Sequence, residues 1–280
     1  MKMTEDLQLL TDEVGRIAQR GGQFLREARA TFDSRKIETK HTHDYVSYVD
    51  RESEQRLVAQ LGALLPEAGF ITEEGTVSNS SETSLKWVID PLDGTTNFLR
   101  DNPPYCISIA LVDESEILLG VVYEVCRDEL YTAYRDGDAC LNGLPIHVSD
   151  VSCLDDAYAI LELPYNVREY KATGQSLYQS LYGYTACLRM PGSAAAALCY
   201  IAAGRFDIWF EAFIGRWDYM AGALIVRRAG GMVTDFLGCS DVSNTHHIAA
   251  TNGRLHNHLL TMLGKSLPEG VSPVSSGKQP

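Results

Sequence analysis

The decisive stretch of the chain is WVIDPLDGTTNF, residues 87–98. Its apolar beginning is typical of a short buried strand that ends at Asp90, because Pro91 biases the preceding residue toward an extended backbone. Gly94 lets the backbone come close to a ligand, and Thr95 suits the beginning of a helix. The stretch therefore predicts a strand, a tight turn and a helix start in quick succession.

The same stretch offers groups that bind cations and groups that bind anions. Asp90 and Asp93, with the carbonyl of Leu92 between them, supply hard oxygen ligands of the kind that magnesium prefers. The N–H groups at the start of the following helix suit an anion such as phosphate. Taken alone, an Asp-Pro-x-Asp-Gly sequence is also common in turns, so a purely structural turn is the alternative.

Two further acidic residues follow strand-like or turn-like segments elsewhere in the chain. Glu73 ends the strand-like segment 69–72, and Asp218 stands at the opening of a helix rich in alanine and glycine. Together with Asp90 and Asp93, these residues predict a two-cation site whose charge offsets a bound phosphate. The alternative for each acidic residue by itself is a solvated helix cap.

Length and composition favour a folded α/β protein. The chain has 280 residues, of which 45% are hydrophobic and 22% charged, which allows one large or two closely joined globular units. We predict an N-terminal α+β half over residues 1–148, which carries Glu73 and the DPLDGTTNF segment. A C-terminal α/β half over residues 149–265 carries Asp218. The Pro/Ser/Gly-rich tail, residues 266–280, is expected to be disordered.

The charge and the hydropathy of the chain limit its partners. A net charge of −13 disfavours nucleic acid and anionic membranes as partners, because phosphate backbones are bound by clustered Lys and Arg. The N-terminal sequence lacks the basic and apolar regions of a signal peptide, and the longest apolar run, residues 194–203, is too short to span a bilayer. Seven scattered cysteines without a CxxC pair fit a reducing environment. We expect a cytoplasmic protein.

Hydrophobic periodicity indicates alternating helices and strands. Apolar stripes predict two helices in the first 65 residues, of which the second runs from Asp50 to Leu65. Predicted strands then lie at 69–71, 86–89, 105–112, 117–123, 158–162, 206–210 and 232–235, and predicted helices follow Ser193, Trp217 and Asn252. This order predicts an α/β fold with mixed sheets.

These motifs resemble the inositol monophosphatase family of magnesium-dependent, lithium-sensitive phosphatases. Three signatures occur in the family's order: Glu73-Glu74, DPLDGTTNF at residues 90–98, and WDYMAG at residues 217–222. Two supporting matches are the segment 44–50, DYVSYVD, and the segment 192–195, GSAA. The resemblance covers about residues 40–262. It implies a layered αβαβα sandwich.

The resemblance also implies the metal ligands. Glu73, Asp90 and the carbonyl of Leu92 would bind one Mg²⁺, and Asp90, Asp93 and Asp218 would bind a second. Asp90 would then bridge the two ions.

The resemblance further implies a substrate site and a proton acceptor. The phosphate would rest on the backbone of Gly94 and Thr95, with Asp93, Ala194 and Glu211 beside the hydroxyls of a sugar-like substrate.

Thr95 and Asp50 would form a hydrogen-bonded pair that activates the attacking water, beside the metal ligand Glu73. The alternative for Asp50 is that it only caps the helix that runs to Leu65.

The expected reaction is Mg²⁺-dependent hydrolysis of a small phosphate monoester by in-line attack of water, with myo-inositol monophosphate as the expected substrate. The resemblance suggests a homodimer. Alternatives are related phosphatases that act on 3′-phosphoadenosine nucleotides, fructose 1,6-bisphosphate or histidinol phosphate. A further alternative is a non-catalytic regulatory protein on the same fold.

Overall fold

The computed structural model describes residues 2–32, 37–41, 44–77, 83–114, 116–162 and 167–266 of the chain. The side chains of 37–41 and 44–46 lie outside this description, although their backbone belongs to two short strands. Three of the seven residues in the segment 44–50, which supported the family resemblance, therefore have no described side chains. The predicted disordered tail lies almost wholly outside the described residues, which end at 266.

Seven α-helices and fourteen β-strands occur in the described residues. The helices are α1 (Lys2–Ala30), α2 (Tyr48–Leu64), α3 (Thr95–Arg100), α4 (Val167–Leu181), α5 (Ala194–Ala202), α6 (Arg216–Arg228) and α7 (His256–Ser266). The strands of the first half are β1 (Ile37–His41), β2 (Asp44–Ser47), β3 (Gly69–Thr72), β4 (Leu85–Asp93), β5 (Cys106–Asp113), β6 (Glu116–Glu124), β7 (Glu129–Tyr134), β8 (Cys140–Leu141) and β9 (Leu144–Pro145). The strands of the second half are β10 (Tyr158–Leu161), β11 (Cys187–Arg189), β12 (Ile208–Ala212), β13 (Met232–Thr234) and β14 (His247–Thr251).

Two mixed sheets form the framework. The larger has seven strands in the order β3-β4-β5-β6-β7-β8-β9, with β3 parallel to β4 and the remaining neighbours antiparallel. The smaller has five strands in the order β11-β10-β12-β14-β13, and β10 is parallel to both of its neighbours. β1 and β2 form a separate antiparallel pair.

Helices cover both faces of each sheet. α1 and α2 pack on one face of the larger sheet, and α5 and α6 lie between the two sheets. α7 contacts both α4 and β14, and its apolar residues pack on the outer face of the smaller sheet. The layers thus alternate as helix, sheet, helix, sheet, helix, which confirms the predicted αβαβα sandwich.

Small residues allow the middle layer to lie close to the larger sheet. A Cβ atom added at Gly120 of β6 would lie 2.5 Å from the carbonyl oxygen of Ala221 in α6, closer than any real contact. The apolar core of this layer draws buried residues from both sheets. The predicted boundary near residue 148 stays a prediction, because this core is common to both halves.

Several predicted elements differ from the observed ones by a few residues. The helix predicted after Trp217 begins at Arg216, and the strand predicted at 206–210 is observed as Ile208–Ala212. α4, β7 and β14 were not predicted, since a short strand or a polar helix carries a weak periodic signal.

All seven cysteines, which lie within the described residues, are free thiols. Among the helices that the structure describes, none is both long and apolar enough to cross a membrane.

Candidate functional site

A β-bulge brings the two aspartates of the decisive stretch together. In a regular strand, residues three apart point to opposite faces. The pairing of β4 with β5 joins Asp90 to Ser108 and Asp93 to Cys106, so β4 has one extra residue between the two aspartates. Such a bulge re-aims the side chains that follow it, and Pro91 is tolerated there because its missing N–H is not needed. Both aspartates therefore reach the same site.

Asp90, Asp93 and Asp218 form a compact cluster of carboxylates. One oxygen of each residue lies within 4.8 Å of the corresponding oxygens of the other two. Asp90 and Asp93 are buried, and Asp218 is half-buried at the third position of α6, where its carboxylate accepts the N–H of Gly215. The structure thus assembles three of the predicted metal ligands from two separate segments.

The acidic cluster is electrostatically unfavourable as it stands. Burial, and then the charges of Glu73, Asp93 and Asp218, raise the pKa of Asp90 well above its ordinary value. Burial and then Glu73 also raise the pKa of Asp218. Burial raises the pKa of Asp93 to about 6. A divalent cation would relieve the repulsion among these carboxylates, and their hard oxygen atoms suit such an ion.

Glu73 enters the cluster from a neighbouring strand. It directly follows β3, and its backbone N–H donates to the carbonyl of Ile89 at 3.3 Å, which continues the pairing of β3 with β4. Because β3 and β4 are parallel, Glu73 and Asp90 lie at the same end of the sheet. The charge of Glu73 acts on both Asp90 and Asp218.

The N-terminus of α5 fixes the position of Asp93. Ser193 is the N-cap residue of α5, and its hydroxyl donates to Oδ2 of Asp93. The N–H of Ala195 donates to the same oxygen at 2.8 Å. These bonds favour the ionised form of Asp93 and partly oppose the effect of burial on its pKa. Ala194, a predicted substrate-site residue, lies between these two donors at the first position of α5.

Gly94 makes the tight turn that the sequence predicts. Its φ of +92° belongs to the left-handed region, and a Cβ at this position would lie 3.0 Å from the carbonyl oxygen of Pro104. α3 then begins at Thr95. The Thr95 hydroxyl lies 2.9 Å from Oδ1 of Asp50 and 3.1 Å from the carbonyl oxygen of Leu92.

Asp50 lies at the third position of α2 and is not its N-cap residue. Ser47 is the N-cap, and both its N–H and its hydroxyl donate to Oδ2 of Asp50, at 2.8 and 2.6 Å. Burial raises the pKa of Asp50, against the hydrogen bonds from Ser47 and Thr95. The alternative that Asp50 is the N-cap residue is therefore wrong. Asp50 stabilises the helix start from the third position of α2, and its other oxygen faces Thr95.

Glu211 faces the carboxylate cluster from the smaller sheet. It lies in β12, and burial, then Glu162, then Asp218 and Asp93, raise its pKa well above the ordinary value. The two sheets thus contribute acidic residues to one site.

Two site residues were missed by sequence reasoning. The Asn97 side chain donates to the carbonyls of Pro104 and Pro191, both at 2.8 Å, and so joins α3 to the turn before α5. The Glu162 carboxylate accepts the N–H of Gly192 at 2.7 Å. The sequence held one signal for Glu162 as a site residue: it is an acidic residue directly after a strand, β10, just as Glu73 directly follows β3.

Comparisons with known proteins show what the whole chain is similar to. The model of the inositol monophosphatase family matches residues 6–267. The protein named Nus factor SuhB from Escherichia coli strain K12 is 34% identical over 256 residues, which are 91% of this chain and 96% of that protein. The solved structure of extragenic suppressor protein suhB from Bartonella henselae is similar with a TM-score of 0.85 at 31% identity, over 95% of this chain and 100% of that one.

A second solved structure, the inositol monophosphatase from Anabaena (Nostoc) sp. PCC 7120, has a TM-score of 0.83 at 30% identity. It covers 95% of this chain and 100% of its own. The likeness that the motifs indicated therefore extends over nearly the whole chain. The chain belongs to the inositol monophosphatase family.

Proposed function

We propose that the protein is a phosphoric monoester hydrolase that requires Mg²⁺. The observation that carries this proposal is the cluster of Asp90, Asp93 and Asp218, whose oxygens lie within 4.8 Å of one another in a largely buried place. Buried like charges are costly unless a cation compensates them. Family membership supports the same chemistry, since the family is generally metal-dependent.

The residues present fit magnesium. They offer only oxygen atoms, which is the donor set that this ion prefers. Glu73, Asp90 and the carbonyl of Leu92 would hold one ion, and Asp90, Asp93 and Asp218 a second. Bound magnesium would make a water molecule more acidic and offset the charge of the phosphate.

The protein's own groups would orient the substrate and accept a proton. The backbone N–H groups of Gly94 and Thr95 would hold the phosphate. The hydroxyl of Thr95 would pass its hydrogen to Asp50 while it accepts one from the attacking water. Asp93, Ala194 and Glu211 would lie beside the hydroxyls of the leaving group.

We propose myo-inositol monophosphate as the substrate. Family membership supports this choice, as does the 30% identity to a protein named inositol monophosphatase. The related substrates are 3′-phosphoadenosine nucleotides, fructose 1,6-bisphosphate and histidinol phosphate, and they remain the alternatives. We also propose a cytoplasmic location, which the composition supports, and a homodimer, which the family resemblance supports.

A regulatory role is the second candidate function. It is favoured by the name Nus factor, which the Escherichia coli relative bears. That name gives no support to the expectation that nucleic acid is excluded as a partner, which therefore rests on the net charge alone. A regulatory role that uses an outer surface would not need the carboxylate cluster.

A phosphate-release screen tests the proposal. The panel contains inositol monophosphates, sugar phosphates, histidinol phosphate, 3′-phosphoadenosine nucleotides and an aryl phosphate, each with magnesium and with chelator. We expect magnesium-dependent release that is fastest with inositol monophosphate, and strongly reduced release from an Asp90→Asn variant. Absence of release from every compound would reject the hydrolase and leave the regulatory role.

A further inference from the structure

The smaller sheet has a topological switch point at β10. The chain passes from β10 through α4 to β11 on one side, and from β11 through α5 to β12 on the other side. α4 belongs to the outer helical layer and α5 to the middle layer. In open sheets of this kind, ligands bind beyond the carboxyl ends of the strands at such a point. Glu162 directly follows the carboxyl end of β10.

Glu162 and Glu211 lie side by side at this place. The parallel pairing of β10 with β12 matches Leu161 to Phe210, so the next residues on the two strands are Glu162 and Glu211. Leu161 and Phe210 pack in the apolar core on the outer face of the sheet. Because successive side chains alternate between faces, the two glutamates point to the inner face, where the carboxylate cluster lies.

Among the described side chains, none with a positive charge compensates the two glutamates. Burial raises the pKa of Glu162 to about 7, and Glu162 in turn contributes to the raised pKa of Glu211. Within the described residues, neither carboxylate forms an ion pair with a lysine or an arginine. Like charges on neighbouring strands are destabilising, so this arrangement favours a ligand that donates hydrogen bonds.

The position of Glu162 is fixed by the backbone. Its Oε1 accepts the N–H of Gly192 at 2.7 Å, in the turn that leads to Ser193 and α5. The Asn97 side chain holds the same turn from the opposite side through the carbonyl of Pro191. This hydrogen bond favours a position of the Glu162 carboxylate beside Glu211.

We propose that Glu162 is a specificity-determining residue, which together with Glu211 admits an uncharged polyhydroxylated leaving group and excludes one that carries a second phosphate. This inference rests on the proposed hydrolase function. Hydroxyl groups can donate to both carboxylates, whereas a second phosphate would meet two acidic residues that have no ion-pair partner among the described residues. Like-charge contacts of this kind are a usual means of rejecting a wrong ligand.

The test compares Glu162→Gln with the parent protein. The Gln side chain retains an acceptor for the Gly192 N–H, so the turn before α5 is kept while the negative charge is removed. Glucose 1-phosphate and glucose 1,6-bisphosphate are the paired substrates, because they differ only in the second phosphate. Glu67→Gln, at an exposed position between α2 and β3, is the matched control.

We expect the parent to favour the monophosphate in kcat/KM. Glu162→Gln should reduce that preference by about tenfold or more, because one of the two negative charges that repel the second phosphate is removed. A factor of ten corresponds to about 1.4 kcal/mol. Glu67→Gln should keep the parent's substrate preference, its turnover of an aryl phosphate and its magnesium dependence. An unchanged preference in Glu162→Gln would overturn the inference. Equal kcat/KM values of the parent for the bisphosphate and the monophosphate would also overturn it.

Calorimetric binding of the same two compounds separates this inference from the proposed function. If the parent hydrolyses no compound, the hydrolase proposal fails, and the binding preference then decides the role of Glu162. The inference predicts tighter binding of the monophosphate to the parent and a smaller difference with Glu162→Gln. Equal differences in the two proteins would reject it.

Discussion

The hydroxyl oxygen of Thr95 lies 2.9 Å from Oδ1 of Asp50, although the two residues are 45 positions apart. The same hydroxyl lies 3.1 Å from the carbonyl oxygen of Leu92, a proposed metal ligand. A hydroxyl has one hydrogen, so it donates fully to only one acceptor at a time. A cation on the Leu92 carbonyl would compete for that oxygen and direct the hydrogen toward Asp50. With its hydrogen directed toward Asp50, the Thr95 hydroxyl would have lone pairs available to accept a hydrogen from the attacking water.

This arrangement predicts that Asp50 and Thr95 act as a unit. Thr95→Ala and Asp50→Asn should each lower kcat by about 10²-fold, which is within the usual range for a lost general base. The double variant should be little worse than either single one, because residues that act together are not additive. Steady-state kinetics with an aryl phosphate at saturating magnesium measures all three effects.

Ser47→Ala is the control for the helix-stabilising role of Asp50. It removes the N-cap hydroxyl, which donates to Oδ2 of Asp50, and leaves the oxygen that faces Thr95. We expect a loss of about 0.5–2 kcal/mol in the free energy of unfolding with a much smaller loss of kcat. If Asp50→Asn behaves like Ser47→Ala in both measurements, Asp50 only stabilises the helix start.

Magnesium should be required for activity and should stabilise the fold. Chelator is expected to abolish phosphate release and added magnesium to restore it, while lithium should inhibit, as the family resemblance implies. At about 100 times its dissociation constant, a ligand that binds only the folded state adds about 2.7 kcal/mol. Thermal unfolding with and without the ion should therefore differ by several degrees. Full turnover in chelator would contradict the metal site.

Asp218→Asn should change metal binding and metal-free stability in opposite directions. The Asn oxygen can still accept the Gly215 N–H, so α6 keeps its start, but one negative charge leaves the cluster. We expect magnesium affinity to fall by at least the 10–100-fold that is typical of changes beside a metal. In chelator, the variant should melt no lower than the parent, because repulsion with Glu73 and Asp90 is relieved.

Asp241→Asn is the matched control for this variant. Asp241 is exposed, and its carboxylate accepts a backbone N–H from Ser243. This change should leave the magnesium titration as it is in the parent. A magnesium titration of Asp218→Asn that matches the parent's would show that Asp218 serves only the start of α6.

The composition of the carboxylate cluster could be predicted from the sequence, but its geometry could not. Glu73 follows β3, Asp90 lies near the carboxyl end of β4 rather than after it, and Asp218 is in the first turn of α6. Such positions bring side chains to the edge of a sheet. The bulge that turns Asp93 toward Asp90 depends on pairing with β5, and no local signal near Pro91 specifies it.

The contacts that support the site are harder to predict, because they join distant parts of the chain. Ser193 reaches Asp93 across 100 positions, and Asn97 reaches Pro191 across 94. A serine before an alanine-rich helix indicates a cap, but nothing in its sequence indicates a second partner. Glu162 directly follows β10, but its place beside Glu211 is shown only by the pairing of β10 with β12.

A buried histidine away from the site predicts a pH dependence of stability. His256 begins α7, and its two ring nitrogens contact the hydroxyls of Thr234 and Thr251, at 2.8 and 3.1 Å. The Thr234 hydroxyl donates to the carbonyl of Asp235, so it must accept a hydrogen from Nε2 of the ring. Nδ1 then accepts from Thr251. These contacts satisfy a neutral imidazole completely.

Burial lowers the pKa of His256 below its ordinary value of about 6.5. The unfolded chain therefore binds a proton at a higher pH than the folded chain does, and the stabilisation by His256 is complete above pH 6.5. This stabilisation is lost as the pH falls from 6.5 toward the lowered pKa of the folded state, by up to about 1.4 kcal/mol for each pH unit.

His256→Gln keeps a donor and an acceptor at this position but does not titrate. We expect it to be less stable than the parent at pH 8, and to lose less stability between pH 7 and pH 5. Urea unfolding at several pH values, with saturating magnesium to hold the carboxylate cluster constant, gives the two free-energy curves. Parallel curves would show that the proton is taken up elsewhere, with His247 as the next candidate, because burial and then His246 lower its pKa as well.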